Sequence, residues 1–275
     1  GNSGGPLFNM DGEVIGINTA IFSPSGGSVG IGFSIPANLA KPVIDQLKEF
    51  GRARRGWLGV RIQTVTEELA DSLGLKKAHG ALVANVTEGG PAQKAKINVG
   101  DVILSFDSKP IIEMRNLPRI VAETSVGKAV KVEVWRKGRK VILSAALGEF
   151  PEDDKVAMAK GGSPKSGAKP KTVTALGLTM SRITKDLRGR YNLPDNAKGV
   201  IVTDVAAESP AAEKGVRPGD VVRKIGPNQE AVSNPSQVKA KVAKAQKSKL
   251  KSVLFLFERD GNSRFVALRV NVEKS

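Results

Sequence analysis

The first seven residues, Gly1-Asn2-Ser3-Gly4-Gly5-Pro6-Leu7, set one hydroxyl among glycines. A serine becomes a useful nucleophile only when a general base takes its proton and a third group orients that base. Histidine is the commonest such base near neutral pH. The chain has one histidine, His79, between Lys77 and Gly80 and just ahead of a strand candidate, where it reads as a loop residue. There is no cysteine, which excludes disulfides, thiol nucleophiles and thiolate metal sites; one histidine then makes no metal-ligand set. On these residues alone, a glycine-rich turn with an incidental serine stays open as the bland alternative.

The composition is that of a globular chain of one to three domains. Of 275 residues, 40% are hydrophobic and 25% charged, while aromatics are only 4%. The cores must therefore be built from Val, Ile, Leu and Ala. No apolar run approaches the ~18 residues that span a bilayer, and no signal-peptide pattern opens the sequence. A chain beginning inside such a motif is expected to have lost its natural N-terminus. The net charge is +16. That excess suits nucleic acid, an anionic membrane surface or acidic partners. With so few aromatics to stack bases, it reads as a solvated basic surface, with no specific nucleic acid and a membrane surface as the weaker alternative.

What must position any site is a repeat. "GALVANVTEGGPAQKAKINVGDVI" from Gly80 matches "GVIVTDVAAESPAAEKGVRPGDVV" from Gly199. Gly80 answers to Gly199, Pro91 to Pro210 and Gly100-Asp101 to Gly219-Asp220, each at an offset of 119 (199 less 80). Upstream, "LGVRIQTVTEELADSLGL" from Leu58 matches "LGLTMSRITKDLRGRYNL" from Leu176 at an offset of 118 (176 less 58). Two copies of one unit follow.

Each copy reads as a small β-rich domain. "ALVANV" and "VIVTDV" are strand candidates, and Pro91 and Pro210 stand at short helix starts. The Gly-Asp turns feed further strands. Leu117, Ile120 and Val121, and in the second copy Val238 and Val242, recur at helical spacing on one buried face. Lys137-Gly138 and Asp260-Gly261 mark hairpin turns. Lys96 stands where the second copy has Gly215; if that helix end needs a positive φ, lysine costs about 1 kcal/mol there. Between the copies, 149–171 is rich in Gly, Pro, Lys and Ser and reads as a flexible linker. Residues 1–51 differ from both copies: two strand candidates, "EVIGINTAI" and "GIGFSIP", then a helix. That helix carries Leu39, Val43, Ile44, Leu47 and Phe50 on one stripe, with Gly51 as its stop.

"WLGV" at Trp57–Val60 and "ALGL" at Ala175–Leu178 resemble the carboxylate-binding loop of PDZ domains. A terminal carboxylate needs converging donors, and consecutive backbone N–H groups in a glycine-containing turn supply them. The strand that follows can pair with an extended peptide. The resemblance implies a first peptide-binding groove of Leu58, Gly59, Val60, Ile62, Leu117 and Val121. It implies a second of Leu176, Gly177, Leu178, Met180, Val238 and Val242. The expected domains are 54–148 and 172–273.

The opening motif then finds its setting. "GNSGGPL", the two strands after it, a short helix and two PDZ-like units follow the order of the HtrA/Do (DegP-like) serine proteases, and the whole chain resembles that family. The resemblance implies a mostly β fold with short helices: the end of a chymotrypsin-like barrel over 1–51, then two PDZ domains. It implies Ser3 as nucleophile, the N–H groups of Gly1 and Ser3 as oxyanion donors around Asn2, and Thr19, Ala20 and Ile21 as the strand that pairs with substrate. Gly30–Phe33 would help wall the specificity pocket. In that family the base and its carboxylate lie upstream of the serine, so the 275 residues alone are expected to be inactive. The expected parent is an ATP-independent, periplasmic serine endopeptidase of protein quality control, oligomeric in trimers or their multiples, with no cofactor. Its partners would be unfolded proteins and C-terminal peptides. The alternative is a non-catalytic tandem PDZ module that only binds peptides.

Overall fold

A computed structural model describes residues 2–23, 30–151 and 173–270. Two compact units divide the chain, Gly1–Arg55 and Gly56–Ser275. Both units contain antiparallel β-strands, and the second is mostly β with short helices.

The first unit is a three-stranded antiparallel sheet and a helix. β1 (Pro6–Phe8) and β3 (Ile31–Pro36) flank β2 (Val14–Phe22), and α1 (Ala37–Phe50) follows directly. Gly51 ends α1 as expected: it sits at φ +68°, and its N–H donates to the Leu47 carbonyl. The apolar stripe of α1 is formed but uncovered. Leu39, Val43, Ile44, Leu47 and Phe50 are exposed, as are Leu7, Phe8, Ile21, Phe22 and Phe33 of the sheet.

The second unit holds both copies of the repeat. The first copy runs β4 (Gly56–Trp57), β5 (Val60–Thr64), α2 (Glu67–Leu73), β6 (Ala81–Val86), α3 (Pro91–Lys94), β7 (Val102–Phe106), β8 (Lys109–Pro110), α4 (Asn116–Glu123), β9 (Ala129–Arg136), β10 (Arg139–Ala146) and β11 (Gly148–Glu149). Its antiparallel sheet has the order β10-β9-β7-β6-β5, while β4 pairs separately with β11. The second copy runs β12 (Val173–Ala175), β13 (Leu178–Arg182), α5 (Lys185–Arg190), β14 (Val200–Val205), α6 (Pro210–Glu213), β15 (Val221–Ile225), β16 (Glu230–Ala231), α7 (Pro235–Lys247), β17 (Ser252–Arg259) and β18 (Asn262–Arg269). Its order is β12-β13-β14-β15-β17-β18.

Local residue choice explains the turns. Lys137-Gly138 and Asp260-Gly261 both take two consecutive left-handed conformations, the two-residue type I′ hairpin. Lys96 lies at φ +60° and Gly215 at φ +66°, so the lysine does adopt the conformation that glycine favours. One expectation is corrected: the linker does not begin at 149. Glu149 lies in β11 opposite Gly56, and 152–172 lie outside the described residues.

Each copy closes its own core, the first around Phe106, Ile103 and Val132, the second around Phe255, Phe257 and Leu268. A third cluster joins them. Leu69, Leu73 and Leu104 of the first copy pack with Leu254, Leu256 and Phe265 of the second. Polar bonds frame this junction. The Gln63 amide donates to the Phe265 carbonyl (3.1 Å) and accepts from the Phe265 N–H (2.8 Å). Glu68 pairs with Lys214 and with Arg269. The Gln229 side chain donates to the Gly100 carbonyl at 3.0 Å.

Candidate functional site

The serine turn is pinned to β2. The Gly4 N–H donates to the Asn18 carbonyl (2.8 Å) and the Asn18 N–H to the Gly5 carbonyl (2.9 Å). The Gly5 N–H closes a turn on the Asn2 carbonyl at 3.0 Å, and Gly4 sits at φ +88°. Ser3 is exposed, and its Oγ donates to the Thr19 carbonyl at 3.2 Å. β1 pairs with β2 only from Val14 to Ile17, so Thr19, Ala20 and Ile21 run past its end, beside the serine. Their other edge is paired with β3, Ala20 opposite Phe33 and Ile21 opposite Gly32. Gly1 lies outside the described residues. His79 is in the loop before β6, its Nδ1 at 3.0 Å from the Lys77 carbonyl.

The first groove has an open strand. β5 pairs with β6 on one edge, and among the described residues no strand takes the other. The loop before it is held from behind. Leu58 is 2% exposed, and its carbonyl accepts from the Ala92 N–H at the start of α3 (2.8 Å). Gly59 sits at φ +77°, and its carbonyl accepts from the Thr87 N–H (2.9 Å). Val60 and Ile62 are half-buried above a floor that contains Leu117 and Val121 of α4. Leu58, Leu117 and Val121 belong to one buried cluster with Val60 and Ile62 packed against it, and Gly59 lies between Leu58 and Val60 in the chain. β4 carries the chain away from the groove: Trp57 pairs with Gly148 and Gly56 with Glu149. Only glycine fits at 56, because a Cβ would collide with the carbonyls of Val121 and Thr124 at the end of α4.

The second groove is arranged differently, and here the expectation of an open strand edge is corrected. Leu178 and Met180 are buried beside Val238 and Val242 of α7. However, β13 is paired on both edges, with β14 on one and β12 on the other. The register of the added strand is Val173 opposite Met180, Thr174 opposite Thr179 and Ala175 opposite Leu178. Leu176 and Gly177 lie at φ +54° and +78°. The loop read as a carboxylate cradle is thus folded as a hairpin turn, because a left-handed pair reverses the chain in two residues.

The Gly-Asp turns conceal a feature that the sequence reading missed. Asp101 and Asp220 are fully buried. Arg136 Nε and Nη2 donate to the two carboxylate oxygens of Asp101 (2.7 and 2.6 Å), and the Asn98 N–H adds a third bond (2.8 Å). Asp101 holds the Arg136 pKa above its ordinary value. Arg259 grips Asp220 in the same way. The signal was present: both arginines stand immediately before the hairpin turns. The basic residues also gather at the junction of the copies. A cavity of about 650 Å³ there is lined by Lys137, Lys241, Lys244, Lys249 and Lys251, with Asp71 and Glu230. Burial, then the neighbouring Lys137 and Arg223, lowers the Lys224 pKa.

Comparison with known proteins agrees with this division. The PDZ domain family model matches residues 56–147 and 174–270, and the trypsin family model matches 1–44. A DegP-like periplasmic serine endoprotease of Brucella suis is 42% identical over 274 residues, 99% of this chain and 50% of that protein. Its namesake in Pseudomonas putida is 41% identical over 270 residues, 98% of this chain and 54% of that protein. The chain spans about half the length of the curated relatives it matches. Among solved structures, the HtrA-type protease AlgW with a decapeptide is 48% identical, with a TM-score of 0.45 over 55% of this chain and 46% of that one. Two PDZ matches that together cover most of the chain make it a member of the PDZ domain family, and nearly its whole length is similar to DegP-like periplasmic serine endoproteases.

Proposed function

We propose that this chain captures the C-terminal ends of unfolded polypeptides and contributes the nucleophile of a periplasmic, ATP-independent serine endopeptidase. The observation that carries the capture reading is the edge of β5 that no strand takes among the described residues, beside a glycine-containing loop. A peptide laid antiparallel on that edge gains main-chain hydrogen bonds along β5. Its carboxylate meets the N–H groups of the Leu58-Gly59 loop, and its last apolar side chain rests over Val60, Ile62, Leu117 and Val121. The catalytic reading rests on the Ser3 turn. Ser3 attacks the scissile carbonyl, the N–H groups of Gly1 and Ser3 receive the oxyanion with Asn2 shaping the turn, and Thr19–Ile21 pairs with the substrate strand. A base is required, and His79, held against the Lys77 carbonyl in a PDZ loop, is not the candidate. The 275 residues are therefore expected to be inactive without a histidine and a carboxylate from outside this sequence. Homo-oligomerisation of the whole protein belongs to the same proposal.

The capture test is a fluorescence-anisotropy titration with a peptide ending in an apolar residue. A free carboxylate should bind at least tenfold more tightly than the C-terminal amide, and Gly59→Val should remove that preference. Equal binding of acid and amide would refute the cradle. The catalytic test is casein cleavage by a whole relative-length protein. It should vanish in Ser3→Ala; cleavage that survives the substitution removes Ser3 from the mechanism. One observation favours a purely peptide-binding module, namely the single histidine in a PDZ loop, and persistent inactivity of the longer protein would select that reading.

A further inference from the structure

β12 lies where a ligand strand would lie. It runs antiparallel to β13 on the edge whose counterpart on β5 has no strand partner among the described residues, and it also contacts α7. Its polarity is that of a bound C-terminal peptide, with Ala175 opposite Leu178 at the start of the groove strand. Ala175 and Leu176 pack against the cluster that contains Val238 and Val242, the floor where a ligand's last side chain would rest.

The two copies show why only one is filled. In the first, Gly56 passes under the carbonyls of Val121 and Thr124, and the Trp57 ring lies against the sites of Gly59, Gly90 and Gly148. In the second, the corresponding residues are Thr174 and Ala175, and Ser209 replaces Gly90. A threonine Cβ has no room along the path of Gly56, and alanine leaves the room that an indole would fill. The second copy therefore lacks both residues that seat the first in its open form. The closed form carries its own strain: Leu176 is left-handed, which disfavours any residue with a Cβ, while Leu58 in the open loop is not. The turn Leu176-Gly177 has the backbone of Lys137-Gly138 and Asp260-Gly261, yet it begins with a residue poorly suited to it.

We infer that Val173–Ala175 is a built-in pseudo-ligand of the second groove, and that an external C-terminal peptide enters there only by displacing it. The inference rests on the peptide-capture reading above and adds its regulation. The incoming ligand is an extended segment with a free carboxylate and a small apolar last residue, since alanine is what the groove now holds. The apparent affinity of the second groove is its intrinsic affinity reduced by the fraction of molecules with β12 released. It is thus the weaker site, recruited at high concentrations of exposed chain ends.

A reversible lock tests this. The chain has no cysteine, so Thr174→Cys with Thr179→Cys, at facing positions, adds one cross-strand disulfide. A fluorescent decapeptide ending in Val-Thr-Ala with a free carboxylate is titrated onto the full chain. The oxidised protein should bind one equivalent, and reduction with dithiothreitol should restore a weaker second. Leu176→Val, with a β-branched residue at a positive φ, should tighten that second site at least tenfold. Leu176→Asn, which creates the preferred Asn-Gly turn, should weaken it by a similar factor. The first site should be unchanged throughout. A second equivalent that persists in the oxidised protein overturns the inference, as does its absence in Leu176→Val. The amides of β12 provide a readout independent of ligand. Their hydrogen exchange should quicken at least tenfold in Leu176→Val, and unchanged exchange also overturns the inference. Failure at the first groove alone counts against the capture reading.

Discussion

The buried pair of Asp101 and Arg136 offers the sharpest test of how each repeat is held. Asp101 is 1% exposed and accepts three hydrogen bonds, two of them from Arg136. Arg136→Met leaves the carboxylate in the core with only the Asn98 N–H. Breaking a fully buried pair by removing one partner costs about 3–5 kcal/mol. The Arg136 side chain is 23% exposed, so water reaches part of the vacated space, and about 2–4 kcal/mol is expected here. Arg136 also donates to the Lys96 carbonyl at 2.7 Å, a bond worth about 1 kcal/mol within that total. Adding Asp101→Asn removes the stranded charge. The double variant should therefore be more stable than Arg136→Met alone, with a coupling energy of at least ~1.5 kcal/mol. The assay is urea unfolding followed by tryptophan fluorescence. Both tryptophans, Trp57 and Trp135, lie in the first repeat, so the signal reports that repeat. A loss below about 1 kcal/mol for Arg136→Met would refute the reasoning, and so would additive single and double variants.

Three further outcomes are expected. Lys96→Gly should stabilise the first repeat by about 0.5–1 kcal/mol by relieving its φ of +60°, while Gly215→Ala should cost the second about 1 kcal/mol, with both read from urea midpoints. Gln63→Ala strands the N–H and carbonyl of Phe265, so the junction of the repeats should weaken by about 1–2 kcal/mol and hydrogen exchange at Phe265 should quicken. The Lys214 hydrogen bond, more than its burial opposes it, holds the Glu68 pKa below its ordinary 4.5. The stability from that ion pair is complete above the unfolded value and is lost as pH falls through the lower folded one. Exchange at the junction should accordingly rise on acidification below about pH 4.5, and Glu68→Gln should flatten that dependence.

The sequence by itself determined the features with a local cost. The repeat, the proline helix starts and the Lys137-Gly138 and Asp260-Gly261 turns follow from which residues tolerate a given φ. The six residues assigned to the first groove came from the likeness of Trp57–Val60 to a PDZ loop; periodicity by itself gave only the buried helix face of Leu117, Ile120 and Val121. The tertiary structure decided what local cost leaves nearly balanced. Leu58-Gly59 and Leu176-Gly177 are the same dipeptide, yet one forms an open loop and the other a hairpin, because Gly56 and Trp57 find seats against α4 and Gly148 that Thr174 and Ala175 do not. The packing of Leu69 and Leu73 of α2 against Leu254 and Leu256 of β17 is visible only in the tertiary structure. Periodicity names a buried face. Its partner is chosen by contacts hundreds of residues apart, such as Gln63 with Phe265, whose energies no local window contains.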